Sequence, residues 1–222
     1  MRAVLIPMKE LAQAKMRLAD VLDRRERSEL ALAMLTDVIV ACRESELFDE
    51  VAVIGNDSEV AWHARELGAK PLTEPATLSG LNESLTFGQR YLARRVAVDE
   101  LLILPADIPL VQAADLRAVV NALAGARAAG ARAVLVRSRD NGTNALALRP
   151  PEAIDMRFGP SSGDAHRNAA DAACVEVVEL TNARIAFDID APEDLDELTA
   201  AMCGAATAGW IEARAHFAAE HP

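Results

Sequence analysis

The chain has 222 residues, 51% of them hydrophobic and 26% charged, enough to bury a full core in one α/β domain. No apolar run approaches the roughly 20 residues that span a bilayer, so a cytoplasmic protein without membrane association is expected. With 34 acidic against 23 basic residues the net charge is −11, a mean field that repels polyanions and argues against nucleic-acid binding. Small phosphorylated ligands are still compatible with a locally basic cleft.

The chain opens on a buried strand over residues 3–7, where Pro7 and Lys9 arrive too early for a signal peptide. A basic loop over 9–17 follows and carries Lys9, Lys15 and Arg17. Positive charge directly after a first strand suits a triphosphate, although a charged loop taken alone is more often solvated surface. No glycine occurs before Gly55, and neither GxGxxG nor a P-loop is present. A dinucleotide dehydrogenase and a P-loop kinase both lose their support.

A helix over 28–42 is predicted from Leu30, Met34, Leu35, Val38 and Cys42 on one face. Strand 50–54, helix 58–67 closed by a left-handed Gly68, and an extended piece over 69–72 come next. After a loop over 74–80, Asn82 is placed as the N-cap of a helix running through Gln89 to residue 93. Strand 101–104 stops at Pro105, which cannot pair within a ladder. Helix 113–129 and strand 132–137 continue the alternation. Turn chemistry over 140–144 precedes a strand at 145–149, ended by Pro150-Pro151. A helix through His166 and Asn168, capped by Ser161 or Ser162, leads to strand 175–179. Then come a strand end bearing Asp188 and Asp190 and a helix opening at Pro192.

This alternation predicts a mostly parallel sheet with helices on both faces. One domain is expected over 1–222, with a core to about residue 200 and a helical tail over about 203–219. Trp210, Ala213 and Phe217 share a helical face there, suited to packing on the same chain or on a second copy in a homodimer. Cys42, Cys174 and Cys203 are odd in number and lack metal-ligand spacing, which fits small buried thiols in a reducing compartment.

Asp107 follows an apolar strand and lies between Pro105 and Pro109. That is where an open α/β sheet places its ligands. Asp188 and Asp190 are two apart, so on a strand both side chains leave one face. Three carboxylates in one crevice repel one another unless a divalent metal neutralises them. The plainer readings are a Pro-flanked turn for Asp107 and a helix cap for Asp190, and capping is compatible with ligation. Gly142-Thr143-Asn144 and Phe158-Gly159-Pro160-Ser161-Ser162 offer hydroxyls and open backbone N–H groups suited to a phosphate or carboxylate. His166 has no nucleophile or carboxylate at diagnostic spacing and reads as structural or ligand-orienting. GxSxG, HExxH and a catalytic Cys/His pair are all missing.

The ordered set Pro7-x-Lys9, Ala14-Lys15-x-Arg17-Leu18, Leu81-Asn82, Leu104-Pro105-Ala106-Asp107-Ile108-Pro109-Leu110, Gly142-Thr143-Asn144-Ala145-Leu146, Phe158-Gly159-x-x-Ser162 and Asp188-Ile189-Asp190-x-Pro192 resembles the CofC/FbiD family. These are guanylyltransferases of deazaflavin coenzyme F-420 biosynthesis. The resemblance implies a single-domain nucleotidyltransferase of the GT-A type, similar to nucleotide-diphospho-sugar transferases. It further implies transfer of GMP from GTP to 2-phospho-L-lactate, phosphoenolpyruvate or 3-phospho-D-glycerate, with release of pyrophosphate and delivery of the product to a downstream deazaflavin transferase. Carried over by position, Asp107, Asp188 and Asp190 would be magnesium ligands. Thr143, Gly159 and Ser162 would contact the phosphorylated acid, and Lys15 and Arg17 would assist catalysis at the GTP phosphates, with Lys9 and Asn82 also on the nucleotide. Met16 departs from the serine common in the family.

Such a reaction needs no general base, because a phosphate monoester with its second pKa of about 6 is already largely dianionic at neutral pH. It needs charge neutralisation and alignment. Two rivals stand beside it. One is a same-fold nucleotidyltransferase with molybdopterin or a sugar phosphate as acceptor, against which the missing glycine-rich first loop counts. The other is a non-catalytic nucleotide-binding subunit.

Overall fold

The computed structural model describes residues 1–125 and 130–220. Its seven strands form one sheet in the order β3-β2-β1-β4-β6-β5-β7. The central strand β1 (Arg2–Pro7) has β2 (Glu50–Ile54) on one side and β4 (Glu100–Ile103) on the other, both parallel to it. Strand β3 (Lys70–Leu72) extends the parallel set beyond β2. Strand β6 (Thr143–Arg149) runs antiparallel to both β4 and β5 (Arg132–Arg137), and β7 (Glu176–Glu179) lies parallel to β5.

The period-two geometry of a strand sends alternate side chains to opposite faces. In β1, Val4 and Ile6 enter one core and Ala3 and Leu5 the other. Helices α1 (Arg24–Glu44), α2 (Ser58–Glu66) and α4 (Ala113–Ala124) cover the first face, contributing Leu35, Val60 and Leu116. Helices α3 (Leu81–Tyr91) and α5 (Ser162–Ala172) cover the second, contributing Leu85 and Ala170. A central strand buried on both faces has no room for polar alternation, which is why β1 and β4 read as continuous apolar runs. Gly68 takes φ +72° after α2, as expected of a left-handed cap.

Several boundaries differ from the sequence expectation for identifiable reasons. Helix α1 starts four residues earlier because Asp23 and Glu26 form a capping box, each carboxylate accepting the other's backbone N–H at 2.8 Å. Gly80 occupies the cap of α3 and Glu83 accepts the Ser79 N–H, so Asn82 sits inside the first turn with its amide used elsewhere. Ser161 holds the cap position of α5 at φ +54° without a side-chain cap bond. Helix α4 is described to Ala124, and residues 126–129 of its expected extent lie outside the described residues. Cys174 is exposed rather than buried.

Residues 187–190 do not form the expected strand. Strand β4 already has β1 and β6 on its two sides, so no free edge remains beside it. The segment instead crosses beyond the strand ends, where Ile189 donates its N–H to Asp107 O at 3.1 Å. The Asp194 carboxylate of α6 (Pro192–Glu197) accepts the N–H groups of Asp190 and Ala191, so Asp190 does not act as the cap.

Helix α7 (Ala205–Glu220) lies along α1. The buried Asp37 carboxylate of α1 accepts the N–H groups of Ala206 (3.0 Å) and Thr207 (2.9 Å) at its start, where the helix dipole favours an anion. Trp210 and Ile211 then pack on a cluster of Leu18, Leu22, Leu30, Met34, Leu110, Phe187, Ile189 and Leu198. The expected apolar face of the tail is therefore divided, since Phe217 is 64% exposed while Trp210 packs on the same chain. Replacing Asp37 with alanine removes two hydrogen bonds to a charged group, each worth about 1.5–3 kcal/mol. We expect a lower denaturation midpoint and faster hydrogen exchange confined to 205–220, read by mass spectrometry. Unchanged exchange there would contradict this anchoring.

Candidate active site

The parallel strands β1 and β4 end on one side of the sheet, and the loops leaving them meet there. After β1 the chain makes two 3-10 turns, Leu11–Gln13 and Met16–Leu18, separated by Lys15 in the left-handed region at φ +49°. The buried Arg27 of α1 pins this loop by donating to Leu22 O at 2.9 Å and Ala14 O at 3.3 Å. Lys15 is thereby turned inward. Its Nζ lies 2.6 Å from Asp107 Oδ2 and 3.3 Å from Asp190 Oδ1, and Arg17 Nη1 donates to Asp190 Oδ2 at 2.9 Å.

Burial alone would discharge Lys15, but the Asp107 and Asp190 carboxylates outweigh it and hold the ammonium above the usual lysine value. Lys15 is thus not the solvated surface cation that its loop suggests when read alone. Asp188 is placed beside Asp107 by the Ile189–Asp107 backbone bond. Burial raises the Asp188 carboxyl above its ordinary range and Asp107 adds to the shift, against an opposing bond from Asn144.

Asn144, expected only as part of the Gly142-Thr143-Asn144 turn, stands instead beside Asp188. The β5–β6 register pairs Arg137 with Thr143 and Val136 with Ala145, leaving Asn144 as a β-bulge. A bulge re-aims a side chain, and here the Asn144 amide donates to Asp188 Oδ1 at 2.9 Å and Ile185 O at 3.0 Å. The approach to Asp188 is tied down a second time by Asp115 of α4, which accepts from Asn182 at 2.7 Å and from Arg184 Nε at 2.7 Å. A buried asparagine in the otherwise apolar run Ala145-Leu146-Ala147-Leu148 was the available signal.

The two small-residue turns also come together, on the α5 side of β6. Thr143 belongs to the strand rather than to the turn before it, and its Oγ1 lies 3.0 Å from His166 Nδ1. His166 Nε2 accepts the Arg157 N–H at 2.9 Å, and the Phe158 ring meets the imidazole edge-on at 4.7 Å. Asn82 clamps Phe158 at both backbone groups, donating to its O at 2.9 Å and accepting from its N at 2.7 Å. Gly159 follows at φ +136°, a conformation reserved for glycine. Ser162 is buried at the start of α5. Asn82, expected on the nucleotide, is thus committed to this turn, and Lys9 is exposed on the first loop.

A cavity of about 1020 Å³ is lined by Asn82, Phe87, Arg90, Tyr91 and Arg157, and none of the three aspartates lines it. Cations and carboxylates converge at the aspartates instead; Arg90 and Arg94, which line the cavity, pair with Glu152. Three hard carboxylates around one ammonium are a donor set that fits magnesium. Among the described residues, however, no three acidic, imidazole or thiol groups stand close enough together to hold an ion as they are. The Lys15 ammonium stands between Asp107 and Asp190.

A sequence model of the family described as Guanylyl transferase CofC like matches residues 1–212. The chain belongs to this family. It is 40% identical over 195 residues to a phosphoenolpyruvate guanylyltransferase of Sphaerobacter thermophilus, covering 87% of this chain and 90% of that one. To the enzyme of the same name from Rubrobacter xylanophilus it is 41% identical over 198 residues, covering 88% and 92%. Among solved structures, a protein from Desulfovibrio desulfuricans G20 described as a nucleotide-diphospho-sugar transferase superposes with a TM-score of 0.76 at 16% identity, covering 97% of this chain and 95% of that one. That likeness establishes the nucleotidyltransferase-type fold anticipated from the motifs. No described helix is long and apolar enough to cross a membrane.

Burial pushes the His166 imidazole down to about 4, with Arg157 adding to the shift and the Ser162 carbonyl opposing it. In the unfolded chain it titrates near 6.5. Between these values the unfolded state binds the extra proton, so stability is full above about pH 6.5 and falls as the pH drops towards 4. The wild type should lose about 3 kcal/mol more than His166→Asn between pH 7 and pH 4. Urea unfolding at both pH values measures it, and parallel losses would refute a buried neutral imidazole.

Proposed function

We propose that the protein transfers GMP from GTP to a small phosphorylated three-carbon acid, phosphoenolpyruvate foremost, and releases pyrophosphate. The observation that carries this reading is the division of the site. Three aspartates and two cations gather at the ends of β1 and β4, and neutral donors from two turns lie at the end of β6. The names of the two relatives support phosphoenolpyruvate over 2-phospho-L-lactate and 3-phospho-D-glycerate. The resemblance would place the step in F-420 biosynthesis, with the guanylated acid passed to a deazaflavin transferase.

In this reading an oxygen of the acceptor phosphate attacks the α-phosphorus of GTP in line. The bond to the bridging α–β oxygen breaks, and its electron pair leaves with pyrophosphate. No proton moves from the nucleophile, which accounts for a site without a base. Lys15 and Arg17 turn from Asp107 and Asp190 to the triphosphate. Asp107, Asp188 and Asp190 would then hold magnesium, which supplies the positive charge that lets two polyanions approach. Thr143, Gly159 and Ser162 receive the phosphorylated acid through one hydroxyl or N–H each. Lys9 lies on the nucleotide side, and Asn82 acts through the Phe158 turn rather than on the nucleotide.

With GTP and magnesium, phosphoenolpyruvate should give a guanylated product and pyrophosphate, both read by mass spectrometry. ATP should be slower by at least about a hundredfold, because a guanine site leaves buried partners unpaired when adenine binds. Product from a sugar phosphate or molybdopterin alone would support the same-fold rival, and nucleotide binding without turnover of any acceptor would support the binding subunit.

Asp107→Asn and Asp188→Asn should melt within a few degrees of the wild type yet lose activity by on the order of a thousandfold, the equivalent of several kcal/mol of lost charge stabilisation. Full pyrophosphate release by either variant would remove these residues from the metal site.

A further inference from the structure

Resting on the reading above, the geometry points to His166 as a positioning residue that fixes the Thr143 hydroxyl as a hydrogen-bond donor to the anionic acceptor. The inference starts from a group whose role is not open to choice. A backbone N–H can only donate, so the Arg157 N–H at 2.9 Å requires a bare Nε2 on His166. A neutral imidazole then carries its proton on Nδ1. Nδ1 lies 3.0 Å from Thr143 Oγ1, so the threonine oxygen is the acceptor in that pair.

The hydroxyl's own proton cannot point at a ring nitrogen that already bears one. Among the described residues Thr143 Oγ1 has no other hydrogen-bond partner, although the residue is only 6% exposed. A buried O–H without a partner is costly, and a phosphate or carboxylate oxygen in the acceptor position would satisfy it. The ring is held so that this polarity cannot reverse. Phe158 packs edge-on against it, and Asn82 clamps Phe158 from α3. The series Asn82, Phe158, His166 and Thr143 therefore converts a fold contact into a directed donor. It favours an anion, which only accepts, over a neutral hydroxyl of similar size.

Nitrogen-15 NMR of the histidine rings at pH 7 should show His166 protonated at Nδ1 and bare at Nε2. The opposite tautomer, or an imidazolium, overturns the inference whatever the acceptor is. Thr143→Val should raise the KM for phosphoenolpyruvate by about tenfold, as expected for one hydrogen bond to a charged group, with the KM for GTP unchanged within about twofold. His166→Leu should do nearly the same. His166→Asn, whose amide N–H falls where Nδ1–H was, should restore the acceptor KM to within about threefold of wild type.

In the Thr143→Val background, His166→Leu should add no further rise in KM, because the two residues act as one unit. A histidine that only supports the fold would add its full effect there and would not be rescued by asparagine, and either result rejects the proposal. A wild-type enzyme that guanylates no phosphorylated acid would reject the functional reading itself, an outcome separate from the tautomer and from the coupling.

Discussion

The site is organised around one ammonium group. Asp107, from the loop after β4, and Asp188 and Asp190, from the 187–190 segment, are brought to the same side of the sheet, and as bare carboxylates they would repel one another. Lys15 lies between two of them with a side chain only 9% exposed. The loop after β1 is shaped by that requirement. It places a lysine rather than a glycine in the left-handed region, a conformation that costs a non-glycine residue about 1–2 kcal/mol, and the Arg27 bonds and the Lys15 ion pairs offset the strain. With Arg17 included, the formal balance is three carboxylates against two cations. In the proposed function a bound triphosphate would add negative charge to this balance, which a divalent ion would offset.

The charges hold their places because an apolar cluster lies beneath them. Leu18 follows Arg17 directly, Phe187 and Ile189 flank Asp188, and Leu110 ends the loop that carries Asp107. Their side chains pack together with Leu30 and Met34 of α1, and Trp210 of α7 packs against the group. Arg17, Asp188 and Asp190 are thus each attached to a buried neighbour in the same cluster. Helix α7 meets this cluster through Trp210 and Ile211.

Most strands were legible from the sequence because burial on two faces leaves an unmistakable apolar run between breakers. Residues 50–54 and 132–137 form strands with the expected ends. Apart from the α1 start, where the local Asp23–Glu26 capping box decides, the failures turn on a partner that local pattern does not contain. The 187–190 segment has strand-like spacing, yet a strand needs a vacant edge and β4 has none. Asn82 has the chemistry of a cap, yet Glu83 satisfies the nearby backbone and its amide serves Phe158 76 residues away. The bulge at Asn144 shifts register by one residue, which leaves no mark on periodicity. The aspartates could be selected from sequence, but that Lys15 would be their counter-ion could not, since its loop reads equally well as solvated charge.

The two halves of the cleft are built on different physics, and this bears on how acceptors are told apart. At the aspartates, ion pairs such as Arg17–Asp190, with Arg17 74% exposed, are easily exchanged and weakly directional. They suit a ligand bound mainly through its charge. On the α5 side of β6 the elements are neutral and held by hydrogen bonds, the Asn82–Phe158 clamp half-buried and the His166–Thr143 pair buried. A neutral donor held in one direction contributes little to a misplaced anion and much to a placed one, and the loss on mismatch is the cost of an unpaired buried group. In the proposed function, selection among three-carbon acids that share a phosphate and a carboxylate would rest on the turns at 142–144 and 158–162, with the aspartates and cations common to every acceptor.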